Sequence, residues 1–208
     1  MMKKAMALVL ALALAASTFI AGAAFSDVPA DHKNAQAINL LSQMKVLQGK
    51  EGDNYDPAGT LTRAEACAIV YRVTTGQVNT PTAPAANVGF SDVSDQHWAG
   101  KYIQYCAGLG VVDGYPGDVF KPDQAVTYAE FVTMMVRALG IDTTGYKFPD
   151  SYMSTAGAQG MTANVNLNND DPAARADVAE VTYNTMFEAD YVRAGQVDDG
   201  NYSHIASE

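Results

Sequence analysis

Thr62-Arg63-Ala64-Glu65, followed by Ala66-Cys67-Ala68-Ile69-Val70-Tyr71-Arg72-Val73, sets the reading of this chain. A threonine oxygen can accept from the backbone N–H three residues on, while the glutamate reaches back to the threonine's own N–H. The tetrapeptide therefore reads as a capping box opening a helix. The pattern recurs at Thr127-Tyr128-Ala129-Glu130, and Arg137 stands in the second apolar run where Arg72 stands in the first. Setting residues 25–73 against 90–138 at a constant offset of 65, without a gap, gives 15 identities in 49 positions. A period of this kind marks supersecondary units that complete one another's core by packing together.

The identities fall at Phe25-Ser26-Asp27-Val28 with Phe90-Ser91-Asp92-Val93, His32 with His97, Ile38 with Ile103, Val46 with Val111, and Gly49 with Gly114. Gly52-Asp53 matches Gly117-Asp118, and Pro57 matches Pro122 ahead of the capping boxes. In the first copy a helix beginning near His32 carries Ala35, Ile38, Leu41 and Met44 on one face and runs towards Gly49, which can end a helix in the left-handed region. In the second, His97-Trp98-Ala99 begins the helix, with Tyr102, Ile103, Cys106 and Leu109 on one face. A weaker third copy follows: Phe148-Pro149-Asp150 echoes the Phe-x-Asp start, Ala158-Gln159-Gly160-Met161 the end of a first helix, and Arg175-Ala176-Asp177 the Arg-Ala-Glu. Its second helix is expected to start early, with Asp171 as N-cap and Pro172 at the first helical position.

This order of motifs at fixed distances resembles the S-layer homology family, over nearly all the chain after the first two dozen residues. The resemblance implies a mainly α fold in which three helical repeats pack as a bundle about a pseudo-threefold axis, the third repeat being degenerate. It divides the chain into a signal peptide at 1–24, repeats at 25–75, 90–140 and 148–190, linkers at 76–89 and 141–147, and a polar tail at 191–208. The signal peptide is also read from the residues themselves: Lys3 and Lys4 precede an apolar run too short to span a membrane comfortably, and small residues follow it.

Losing Lys3 and Lys4 takes the formal charge from −10 to −12. Such acidity argues against nucleic acid, against anionic lipid, and against non-specific attraction to an anionic polymer. Any anionic ligand must be held by individually placed cations. After signal cleavage no stable membrane insertion is expected. Cys67 and Cys106 each stand where the other copy has an apolar residue, Val132 and Leu41, and so read as buried thiols, with a bridge between the repeats as the alternative. Asp53, Asn54 and Asp56 lack the spacing of a calcium loop and read as turn formers. His32, His97 and His204 have no partner at metal-ligand spacing, and no nucleophile or phosphate-loop motif is present. No catalysis, no cofactor and no metal are expected.

The resemblance implies a non-catalytic cell-surface anchoring module, secreted to the bacterial cell wall or S-layer. Its grooves between repeats would receive an anionic secondary cell-wall polysaccharide linked to peptidoglycan, often one bearing pyruvate. Arginine offers planar paired donors to a carboxylate, and an aromatic face stacks on a sugar ring. The expected ligand-binding positions are Arg63 and Arg175 in the Thr-Arg-Ala-Glu position, Trp98 in the first-helix aromatic position, and the early aspartates Asp27 and Asp92, whose alternative role is to cap the following helix. Tyr128 replaces the second repeat's arginine and Lys33 the first repeat's tryptophan, while the third repeat reads as lacking the aromatic segment. Arg63 and Trp98 are therefore expected to share the one complete site. The alternative is a structural or protein-interaction component of a surface layer, with surface-layer proteins as partners and no direct glycan binding.

Overall fold

The computed structural model describes residues 25–81, 89–94 and 96–190. The expected signal peptide, part of the first linker and the C-terminal tail lie outside them. Six helices follow in order: α1 Ala35–Gln43, α2 Arg63–Thr75, α3 Gly100–Gly108, α4 Tyr128–Ala138, α5 Asp150–Ala158 and α6 Arg175–Tyr183, the last continued by a π-helical turn, Asn184–Glu188. Among the described residues the fold is helical, with isolated bridges and no strands.

Both capping boxes form. Glu65 N donates to Thr62 Oγ1 (3.2 Å) and Thr62 N to Glu65 Oε2 (2.8 Å), and Glu130 and Thr127 repeat the exchange at 3.2 and 2.9 Å. The third helix of this kind, α6, has Ala174 at its N-cap and no side-chain cap. It begins at Arg175, in register with Arg63, and not at Asp171-Pro172. The reason is that residues 171–173 are committed elsewhere: Pro172 bridges Thr127, and Ala173 N donates to Val126 O at 2.9 Å.

That last bond belongs to a closed set of three. Val126 N donates to Leu61 O (2.9 Å), Leu61 N to Ala173 O (3.1 Å), and Ala173 N to Val126 O. Just beyond it, Arg63 N donates to Gln124 O (2.9 Å), Tyr128 N to Asp171 O (2.9 Å) and Arg175 N to Gly59 O (2.8 Å). Buried backbone N–H groups need partners, and here the segments before α2, α4 and α6 supply one another's. Leu61, Val126 and Ala173 are themselves buried, so this linkage lies inside the apolar core.

Around it the helices pair across units: α2 packs on α3, α4 on α5, and α6 on α1. Each first helix buries a stripe against its neighbour, Ala35, Ile38 and Leu41 in α1 and Tyr102, Ile103 and Cys106 in α3. Met44 is only partly buried and Leu109 is exposed, because both lie past the last turn. These helices start later than expected, at Ala35 and Gly100. The histidine ahead of each turns back, its Nδ1 accepting from Asn34 N (3.1 Å) or Ala99 N (3.2 Å).

Gly49 is not the helix stop. Lys45 takes the left-handed conformation after α1, with φ 62°. Gly49 is needed for close approach: a Cβ there would collide with the Phe25 ring and stand 2.7 Å from Asn54 O, and one at Gly114 would meet Phe90 in the same way.

The third unit is also in a different register from the one expected. Tyr152 of α5 stacks under Arg137 as Tyr102 of α3 lies under Arg72. On that register Phe148 stands two residues before α5, as Trp98 stands two before α3, and the two are comparably exposed at 56% and 54%. The aromatic position is therefore occupied. Reading Phe148-Pro149-Asp150 as a Phe-x-Asp start misses this, because the segment joining α4 to α5 is shorter than its counterpart before α3.

Candidate functional site

The two arginines of the capping-box position do the same thing in different units. Arg63 Nε donates to Phe120 O (2.9 Å), Nη2 to Asp113 O (3.2 Å) and Nη1 to Glu130 Oε1 (3.1 Å), with its guanidinium 4.6 Å from the Phe120 ring centroid. Arg175 Nε donates to Tyr55 O (2.8 Å) and Nη2 to Gln48 O (2.7 Å); Nη1 lies 3.8 Å from Glu65 Oε1, and the guanidinium 4.6 Å from the Tyr55 ring. Both are buried. Each clamps the loop of a neighbouring unit and meets the glutamate of that unit's capping box, so each guanidinium is already engaged with protein oxygens.

Tyr128 fills the arginine position at the third junction. It is buried, and its hydroxyl is pushed up to about 12 by burial and by the nearby Asp177 carboxylate. Asp177 takes its cation from another unit, with Lys33 Nζ 3.2 Å from its Oδ1.

Asp27 and Asp92 cap loops, not helices. Asp27 accepts from Tyr55 N (2.8 Å) and Asp56 N (2.7 Å), and Asp92 from Phe120 N and Lys121 N (both 2.7 Å). Burial works to raise each carboxyl and is outweighed by these N–H donors, which hold both below the usual carboxylate range.

Of the six expected site residues, Trp98 alone presents a large exposed apolar side chain. It lines a cavity of about 190 Å³ with Gln48, Tyr55, Glu65, Arg72 and Arg175. The expectation that Trp98 shares its site with Arg63 is thus corrected: Trp98 and Arg175 line this cleft and Arg63 does not, because α3 packs on α2 and Arg63 reaches into the loop of the second unit. Pockets that enclose drug-sized ligands start at roughly 300 Å³. This cleft suits one ring or a terminal substituent, not an engulfed oligosaccharide.

Arg72, which sequence reasoning passed over, also lines the cleft. It is 7% exposed, its Nη1 donates to Val46 O (3.2 Å), and its buried Nε has no partner among the described residues. The signal for it was present in the repeat itself, since Arg72 and Arg137 are among the identities.

Cys67 and Cys106 are buried free thiols where α2 meets α3, with Cys106 Sγ 3.5 Å from Cys67 O. Among the described residues no group of side chains is arranged to hold a metal ion, and no helix is long and apolar enough to cross a membrane.

Residues 24–67 and 89–132 match the family model of the S-layer homology domain, at the offset of 65 read from the repeats. The relatives that share these repeats are named as cell-wall, surface-layer and anchoring proteins. The chain is 30% identical over 180 residues to the Middle cell wall protein of Brevibacillus brevis, covering 85% of this chain and 17% of the relative. It is 33% identical over 121 residues to an S-layer protein of Bacillus licheniformis, 58% of this chain and 13% of that one. A Cellulosome-anchoring protein of Acetivibrio thermocellus is 33% identical over 93 residues, 45% of this chain and 21% of its own length. The chain therefore spans less than a quarter of each of these relatives.

Proposed function

We propose that this chain is a wall-anchoring module, exported by a signal peptide at 1–24. In this reading three S-layer homology repeats, the third degenerate, surround a pseudo-threefold axis and hold an anionic secondary cell-wall polysaccharide. The observation that carries it is the cleft in which exposed Trp98 stands beside buried Arg72 and Arg175. An aromatic face next to guanidinium groups, in a chain otherwise strongly acidic, is the combination that selects an acidic sugar and rejects general polyanion adhesion. The three-way backbone linkage before α2, α4 and α6 supports the threefold arrangement. In this arrangement Arg63, Tyr128, Asp27 and Asp92 build the frame, and Trp98 faces the ligand.

Sedimentation with purified wall sacculi tests the reading. The protein is expected to pellet with intact sacculi and to stay in solution once the secondary polysaccharide has been stripped from the peptidoglycan. Undiminished pelleting with stripped sacculi would overturn glycan binding. Concentration-dependent self-assembly without sacculi, together with no pelleting on them, would favour the surface-layer structural role.

A further inference from the structure

Arg72 and Arg137 occupy the same place in the first two units, 65 residues apart, yet their surroundings differ by one charge. Arg137 is fully engaged. Its Nη1 donates to Asp113 Oδ2 (2.9 Å) and Val111 O (3.3 Å), and its Nε and Nη2 reach the Tyr152 hydroxyl at 3.3 and 3.2 Å. Arg72 keeps only the bond matching Val111, to Val46 O. The Tyr102 hydroxyl beneath it donates to Thr80 Oγ1 (3.4 Å), and Gln48 stands where the second unit has Asp113. The equivalence of Gln48 and Asp113 is geometric as well as sequential, for the backbone oxygen of each accepts from the clamping arginine of the neighbouring unit, Arg175 or Arg63.

A buried guanidinium N–H without an acceptor is costly, and Arg72 Nε is one, beside an open cleft. We propose that Asp113 is a tethered competitor filling the anion position of the second cleft, so that the chain takes an anionic ligand at Arg72 alone. The identity of the polymer rests on the wall-anchoring reading; the anion position does not. Asp113 is largely exposed, so its pair with Arg137 adds little to stability. Its effect is on occupancy: a carboxylate held by a short tether acts at an effective concentration on the order of millimolar, enough to exclude a single weakly held acidic group. The second cleft otherwise keeps the necessary parts, with a clamping arginine in Arg63 of the first unit and an exposed aromatic at the Trp98 position in Phe148 of the third. One side chain thus sets the number of working clefts.

Exchanging the two residues tests this. Gln48 and Asp113 are both exposed, so Gln48→Asp and Asp113→Gln are expected to leave the helical circular-dichroism spectrum unchanged. The probes are methyl glucuronide, a small carboxylated sugar, followed by arginine Nε–Hε and tryptophan indole resonances, and acidic polysaccharide released from sacculi, followed by calorimetry. In the parent protein the glucuronide is expected to shift Arg72 Nε–Hε and the Trp98 indole, leaving Arg137 in place. Gln48→Asp should weaken this by roughly tenfold or more, equivalent to at least 1.4 kcal/mol. Asp113→Gln should bring Arg137 into the titration and raise the polysaccharide stoichiometry from one site per chain to two. The proposal is overturned if the glucuronide shifts Arg137 in the parent, if Gln48→Asp binds unchanged, or if Asp113→Gln keeps one site. Glucuronide binding at Arg72 without binding of the polysaccharide would uphold the anion position and reject the wall-polymer reading.

Discussion

Arg63 sits over the ring of Phe120, its guanidinium carbon 4.6 Å from the centroid, while its Nε donates to the carbonyl of the same residue at 2.9 Å. One side chain of the first unit thereby fixes both the ring and the backbone of the second. Arg63→Ala would leave Glu130 without its arginine and two backbone carbonyls without a donor. The expected outcome is a loss of about 3–5 kcal/mol of unfolding free energy, the range for breaking one side of a buried ionic contact. Urea denaturation measures it. Arg63→Lys should recover only part, since an ammonium cannot reproduce the planar fork or the stacking. A parent-like midpoint for Arg63→Ala would show that the clamp does not hold the units together.

The loop staples predict a pH dependence. Asp27 and Asp92 are held below the usual carboxylate range in the folded chain, so the unfolded state binds more protons and stability rises with pH. Their contribution is complete above the unfolded value of about 3.9 and is lost as pH falls through the lower folded values. Asp27→Asn and Asp92→Asn should destabilise at pH 6, because an amide cannot accept from both N–H groups. The gap to the parent protein should narrow as pH falls through the lowered folded values, where the parent carboxyls also become neutral. Urea midpoints taken from pH 6 down to 2.5 test this; a gap that stays constant over the whole range would exclude the staple role.

Burial and the adjoining Cys67 thiol push the Cys106 thiol well above its ordinary range, and both side chains are sealed in the core. Thiolate is the reactive form, so neither cysteine should be alkylated by iodoacetamide in native protein at pH 8, and both should react in urea. Adding a reductant should leave the melting temperature unchanged, as no cross-link constrains the unfolded chain. Mass spectrometry of the alkylated protein and a paired thermal melt decide the point. A drop of many degrees on reduction would mean that the thiols are joined.

What the sequence discloses follows from where the information is local. The two capping boxes are written within four residues each, and they form where expected. The free core cysteines follow from their replacing Val132 and Leu41. Three readings failed for non-local reasons. Asp171-Pro172 has a good helix-start signature, but its backbone is held by Thr127 and neighbouring residues from another unit, and no local pattern announces that. Phe148 looks like the start of a repeat because its register depends on which tyrosine meets Arg137. That Trp98 shares its cleft with Arg175 and not with Arg63 depends on the order in which units pack, which an offset of 65 leaves open. Arg72 was legible as a repeated arginine, yet its unpartnered Nε becomes visible only once Tyr102 and Gln48 are in place around it.

Trp98 separates binding from folding more cleanly than any other residue of the cleft. Its ring is 54% exposed, touching His97 at 6.0 Å and Tyr102 at 6.3 Å between centroids, so removing it leaves no buried hole. Trp98→Ala is expected to keep stability within about 0.5 kcal/mol, as surface substitutions do. Its effect on binding should be larger. An aromatic contact beyond simple area burial is worth about 0.5–1.5 kcal/mol, so losing the platform should weaken acidic wall polysaccharide by roughly threefold to over tenfold. Trp98→Phe should bind between the two, because its counterpart at the second cleft, Phe148, shows that the position takes a smaller ring. Arg63→Ala supplies the contrast: its defect should be in unfolding free energy, with polysaccharide affinity near that of the parent in whatever fraction remains folded. Calorimetric titration at a temperature where every variant is folded distinguishes the two cases. If Trp98→Ala binds like the parent while a folded Arg63→Ala does not, the ligand sits in the second cleft, against Phe148 and Arg137, and the first cleft is only a seam between α2 and α3.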